Sequence, residues 1–267
     1  MKKYIFYFLL IVSALFIFFP IIYCITSSFM TTADIMGGKL LPQNISFENY
    51  GNLIENIPIV QFFFNSLSTA LSAMGLQLLI CSATAYALVF VEFKEKKIIY
   101  LIVIGAIFVP WEAIFVPNYF TVLKMGLLNT RLGIILPFIS NGLGVFLMVQ
   151  QFRTLNKSLI EAAKIDGCNH LYIYGRIVIP LSKGILSTWG VYSFLSIWNM
   201  YLWPLMVSTR PESRTIQIGL KMIKSEEGTN FGVLMAAVVM VIVPSLLVLF
   251  LGQKQLEKGL VSGAVKE

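Results

Sequence analysis

Residues 4–25 carry no charged side chain, and neither do residues 62–91. A helix needs about 20 predominantly apolar residues to cross a hydrocarbon core, so either run is long enough. Lipid offers no partner for backbone amides and carbonyls, and a helix satisfies both within its own segment. Of 267 residues 57% are hydrophobic and 12% charged, with mean hydropathy +0.81, well outside the composition of soluble domains. The expectation is an all-α membrane protein, one transmembrane domain over residues 1–267. Its six transmembrane helices fall at roughly 4–25, 63–90, 98–117, 132–152, 184–207 and 231–252, with a loop at 153–183.

The first run reads as an uncleaved span, because a signal peptide has a shorter core of about 7–15 apolar residues and a small-residue cleavage site. Residues 26–61 hold Pro42, Pro58 and three acids against one lysine, which suits an outer loop. The third span is interrupted at Pro110-Trp111-Glu112 and closed by Pro117, and Pro137 lies within the fourth.

The formal net charge is +7, but the positive residues sit in short loops between apolar runs, which fits a positive-inside membrane protein and not a nucleic-acid surface. With the amino terminus inside, 13 of the 20 Lys and Arg fall on the inner side and 7 on the outer. Both termini are then cytoplasmic. Cys24, Cys81 and Cys168 are an odd count, two of them in apolar runs, so no disulfide framework is implied. His170 is the single histidine, which removes His-based metal sites and Ser-His nucleophilic chemistry together.

One charged, mixed-character segment stands between the apolar runs. Ser158-Leu159-Ile160-Glu161 fits a capping box, in which serine and glutamate satisfy each other's free amides at a helix start. Gly167 suits the left-handed residue that closes such a helix, and Asn169 then caps a second helix running toward Pro180. The order is Glu161-Ala162-Ala163, three residues ending in Asp166, Gly167, nine residues, Ile177, and Pro180. This resembles the EAA loop in the membrane subunits of ATP-binding-cassette importers, whose pattern is E-A-A-x3-G-x9-I-x-L-P. Only Ile179 departs from it, and Ile for Leu keeps volume and polarity. The stretches 198–207, WNMYLWPLMV, and 258–266, KGLVSGAVK, look like the second permease subunit of the carbohydrate-uptake branch, the group with the maltose and glycerol-3-phosphate systems.

The resemblance implies the type I importer permease fold, with the Glu161 loop forming a cytoplasmic coupling helix. It also implies a bacterial inner-membrane protein that imports sugars or related polyols and works with a second permease subunit, two ATP-binding subunits and an extracellular solute-binding protein. No catalytic role and no cofactor are implied. The only Gly-Lys pair, Gly38-Lys39, is followed by Leu40, so there is no phosphate-binding loop, and ATP hydrolysis falls to another subunit.

Two stripes are candidates for the solute path. Asn141, Gly144, Met148 and Gln151 recur at helical spacing in the fourth span, as do Ser193, Ser196, Asn199 and Trp203 in the fifth. Amides and hydroxyls pair with sugar hydroxyls while an indole stacks on the ring's apolar face. Small and polar residues at such spacing also serve helix packing in lipid. Glu112 costs about 2.5–3.5 kcal/mol if charged at the bilayer centre, so it either reaches water near a span end or has a partner. Spans four to six hold no Lys or Arg, which favours a neutral solute over a phosphate ester unless the partner subunit brings the cation.

Overall fold

The computed structural model describes the backbone of residues 2–225 and 228–264, and the side chains of residues 3–223 and 230–253. The tail stretch 258–266 therefore lies outside the described side chains.

In chain order the helices are α1 (Lys2–Ser27), α2 (Thr32–Met36), α3 (Glu48–Asn56), α4 (Ile59–Phe90), α5 (Lys96–Ile107) and α6 (Trp111–Lys124). Next come α7 (Arg131–Ile135), a 3-10 turn at Leu136–Phe138, α8 (Gly142–Arg153), α9 (Lys157–Ile165) and α10 (His170–Tyr172). A π-helical stretch at Ile173–Val178 leads into α11 (Ile179–Leu181), then α12 (Lys183–Trp198), α13 (Leu202–Val207) and α14 (Ile216–Met222). A minimal antiparallel ladder joins β1 (Lys224–Ser225) to β2 (Gly228–Thr229), and α15 (Phe231–Ala264) ends the chain's described structure.

Among the described residues, three helices are long and apolar enough to cross a membrane unbroken: α1, α4 and the part of α15 up to Gln253. Two of the six expected spans are instead bent pairs, α5 with α6 at 102° and α7 with α8 at 51°. Proline explains the first bend. Pro110 lacks an amide hydrogen and disfavours helical geometry before it, so it takes φ −67° and ψ 140° and becomes the cap of α6. Contrary to expectation, Pro117 does not close this span: it lies in the first turns of α6, which runs on to Lys124. At the second bend Asn141 adopts extended geometry and caps α8. The region expected as the fifth span, 184–207, is also interrupted, since α12 stops at Trp198 and α13 begins at Leu202.

In the loop the expected capping box does not form. The cap of α9 is Asn156, whose Oδ1 accepts from the Ser158 amide at 3.0 Å. The Ser158 hydroxyl donates to the same oxygen at 2.8 Å, so no Ser158–Glu161 box forms. The second helix runs toward Pro180 as expected and ends at Leu181, with π geometry over Ile173–Val178. Without an amide hydrogen at Pro180 the spacing loosens just ahead of it, and Ile179 N–H reaches five residues back to Tyr174.

Contacts cluster the chain into two compact units, Met1–Phe64 with Arg214–Pro244, and Asn65–Ser213 with Ser245–Glu267. In the first, Asn49 is buried and its Nδ2 donates to the carbonyls of Ser28 (3.0 Å) and Met30 (2.7 Å), tying α3 to the end of α1. Here also Lys39 pairs with Asp34 at 2.5 Å, and Thr31 donates to the same carboxylate. These two bonds hold the Asp34 carboxyl below the usual carboxylate range. In the second unit a core of Cys81, Tyr86, Met148, Phe152, Ile160, Ile173 and Trp189 joins α4, α8, α9, the π stretch and α12.

Candidate functional site

Within the second unit, three interruptions of helical structure border one cavity of about 810 Å³. Val109 and Trp111 reach it from the break at Pro110, Ser140 and Asn141 from the break before α8, and Met200 to Leu202 from the break before α13. Helix breaks free backbone and side-chain polar groups that a continuous span keeps to itself, and in a membrane these are tolerated where they line a cavity. The polar lining comprises Ser140, Asn141, Ser196 and Tyr201, the aromatic lining Trp111, Phe138 and Trp203, and among the described residues no Asp, Glu, Lys or Arg takes part.

The two stripes divide here. Asn141 faces the cavity, and its Oδ1 accepts from the amides of Leu143 (3.0 Å) and Gly144 (3.3 Å). Its Nδ2 has no acceptor among the described residues and remains a donor. Ser196 is exposed and lines the same space from α12. Trp203 borders it too but is 1% exposed, and its indole N–H is shared between the carbonyls of Gly133 (3.3 Å) and Ile134 (3.2 Å). Its ring meets Trp111 and Phe115 edge-on, at 5.6 and 5.5 Å, so it builds the wall and offers no free face.

Gly144, Met148 and Ser193 are buried, and a Cβ at Gly144 would stand 2.6 Å from the Trp189 ring. Helix packing occupies that part of both stripes. Asn199 is exposed, outside the lining, and donates to Leu195 O at 2.9 Å on its own helix. Glu112 is exposed in the first turn of α6, where a carboxylate suits the helix dipole, and it does not line the cavity. Sequence reasoning missed Trp111, Phe138 and Tyr201. The signal for Trp111 was its place directly after the breaking Pro110.

The loop is the second site. Helix α9 buries Ile160 and Ala163 and exposes Glu161, Ala162 and Asp166. Gly167 has φ +78°, its amide donates to Lys164 O (3.1 Å), and the next amide, of Cys168, reaches back to Ala163 O (2.9 Å). This pair of bonds closes a helix with a left-handed residue that glycine adopts without Cβ strain. Asn169 then accepts from Tyr172 N–H at 2.8 Å and starts the next helix. Ile177 packs on the core and Pro180 is exposed. The loop is held to α4 by two hydroxyl contacts, Tyr174 to Ser82 at 2.7 Å and Tyr86 to Nδ1 of His170 at 2.9 Å. Outward it presents Leu159, Ile165 and Leu171, the last two more than four-fifths exposed.

The sequence profile of the binding-protein-dependent transport system inner membrane component matches residues 92–262. The chain is 32% identical over 264 residues to the arabinooligosaccharides transport system permease protein AraQ of Bacillus subtilis, covering 97% of this chain and 94% of that one. It is 29% identical over 264 residues to the sn-glycerol-3-phosphate transport system permease protein UgpE of Brucella melitensis, covering 95% and 94%. Among solved structures it matches a chain of a bacterial ABC transporter involved in the import of the acidic polysaccharide alginate, with TM-score 0.85, 27% identity and 95% of each chain covered. A profile match spanning both the cavity and the loop, together with relatives aligned over nearly their full length, means that this chain belongs to the family of binding-protein-dependent transport system inner membrane components, multi-pass membrane permeases of ABC transporters.

Proposed function

We propose that this chain is one of two permease subunits of an ATP-driven importer for neutral sugars or oligosaccharides, with six spans and both termini cytoplasmic. The fifth span consists of α12 and α13, carried on by the helical run from Asn169. The observation that carries the solute class is the cavity of about 810 Å³ lined by amide, hydroxyl and aromatic groups without a charge. Such a lining satisfies hydroxyls and stacks on sugar rings, whereas a phosphate left unpaired there costs several kcal/mol. AraQ, named for arabinooligosaccharides, agrees with this solute class. The second reading is a phosphate ester such as glycerol-3-phosphate, favoured by the likeness to UgpE; its cation would then come from the partner permease.

Helix α9 serves as the coupling element toward an ATP-binding subunit, presenting Leu159 and Ile165 for docking, with Leu171 of α10 beside them in the chain. A second permease, two such ATPase subunits and an extracellular solute-binding protein complete the assembly. Closure of the ATPase dimer moves the two coupling helices together and turns the cavity outward.

The test is uptake by the assembled transporter in proteoliposomes. Ser196→Trp fills the cavity and is expected to abolish uptake of the neutral solute while the complex still assembles; undiminished uptake would sink the assignment of this cavity. Gly167→Val forces a β-branched residue into left-handed geometry, at about 1–2 kcal/mol, and is expected to uncouple solute-stimulated ATP hydrolysis from transport. In a background lacking Cys24 and Cys81, a membrane-impermeant thiol reagent is expected to reach Cys168 from the cytoplasmic side alone. Labelling from outside reverses the orientation.

A further inference from the structure

A second cavity, of about 390 Å³, lies where α4 ends, α5 begins, α8 ends and α9 begins. Lys96, Arg153 and Lys157 line it together with Phe90, Phe152 and Leu155. Three cations gathered on one small space repel one another unless an anion joins them. Among the described residues none of the three has a carboxylate within 4 Å, although Glu92 and Glu95 are neighbours in sequence. Lys96 and Lys157 are also the first residues of α5 and α9, where the helix dipole disfavours positive charge and favours an anion.

Each cation keeps donors to spare. Lys96 Nζ donates to Val89 O (3.1 Å) and Val91 O (3.0 Å) at the end of α4, which leaves one of its three protons. Arg153 rests its guanidinium 4.9 Å above the Tyr100 ring, and its N–H groups have no acceptor among the described residues. The Lys157 ammonium is exposed and likewise without one.

From this arrangement we infer that the cavity binds the headgroup phosphate of an anionic phospholipid, with Arg153, Lys157 and Lys96 on the phosphate oxygens and the apolar wall of Phe90, Phe152 and Leu155 against the glycerol and upper acyl chain. Arginine and lysine around phosphate form short charge-assisted bonds, and a basic pocket at span ends meets lipid headgroups at this depth. The apolar half of the lining selects a lipid over free phosphate. The inference goes beyond the importer reading and rests on it only for the leaflet, which the Cys168 labelling tests separately.

The experiment is native mass spectrometry of the full chain in mixed micelles, counting retained phosphatidylglycerol against phosphatidylcholine of matched chains. The wild type is expected to retain phosphatidylglycerol preferentially, and equal retention of the two lipids overturns the inference whatever the variants do. R153Q/K157Q should lower that retention roughly thirtyfold, as expected when two basic residues at a membrane surface are lost. R153K/K157R, which keeps both charges, should restore most of it. K164Q, an exposed lysine of α9 outside the cavity, should leave it unchanged; an equal loss there means diffuse surface attraction and overturns the site. Displacement of the lipid by inorganic phosphate at equal concentration overturns the lipid assignment in favour of a free-phosphate site.

Discussion

The hydroxyl of Tyr86, near the end of α4, lies 2.9 Å from Nδ1 of His170, the first residue of α10, with the two rings edge-on at 5.9 Å. This contact and the neighbouring Ser82–Tyr174 bond tie the loop after α9 to the long apolar helix α4. Tyr86→Phe keeps the ring packing and removes the bond, a loss of about 1 kcal/mol or roughly fivefold in an opening equilibrium. Hydrogen exchange of the amides in 157–175 is expected to quicken by that factor, and an unchanged exchange rate would show that the bond does not restrain the loop.

Gly144 and Trp189 define the crossing of α8 and α12. An added methyl would stand 2.6 Å from the indole, so Gly144→Ala is expected to destabilise the detergent-solubilised protein by about 1–3 kcal/mol. Trp189→Phe should recover part of the loss in the same melting measurement. Full stability of Gly144→Ala alone would mean that this helix pair gives way easily.

Asn141 has two roles that two substitutions separate. Asn141→Ala removes both the cap of α8, worth about 1 kcal/mol, and the Nδ2 donor in the cavity. Asn141→Ser keeps a capping oxygen and loses the amide. Uptake assays should find transport of a neutral solute weakened in both, with thermal stability lowered in the alanine variant only. Asn199→Ala, by contrast, removes a side chain that bonds its own helix outside the cavity lining and should leave uptake close to wild type.

Asp34 supplies a pH dependence. Its folded pKa is depressed by the hydrogen bonds from Lys39 and Thr31, so its contribution is present above the ordinary aspartate range and disappears as pH falls through the lowered folded value. Proteolysis within 31–39 should therefore stay slow above about pH 3.9 and accelerate progressively as pH falls from there through the lowered folded value, using an acid-active protease. Asp34→Asn should give the faster rate at all pH values. A wild-type rate already rising near neutrality would contradict the pairing with Lys39.

Much of this protein was legible in its sequence because its strongest constraints are local. The uncharged run over 4–25 becomes a single helix, as its missing charges and length require. Gly167 takes the left-handed geometry that an E-A-A-x3-G spacing demands, and Asn169 caps the helix after it, because both depend on residues within five positions. Even within this range local competition defeated one reading: Asn156, two residues ahead of Ser158, took the cap, as its amide oxygen reaches both the Ser158 amide and hydroxyl.

Tertiary structure decided what periodicity leaves open. Spacing assigns Ser193, Ser196, Asn199 and Trp203 to one stripe of an unbroken helix, but α12 ends at Trp198, and past that break the stripe no longer exists. Trp203 then turns its indole to carbonyls some 70 residues earlier in the chain, and Gly144 meets Trp189 across a helix crossing. The cavity itself arises where three interruptions from separate segments coincide in space. A sequence can mark where each helix must break, because proline and capping asparagine act on their own neighbours. Which breaks face one another depends on how the helices pack, and that is set by contacts between residues far apart in the chain.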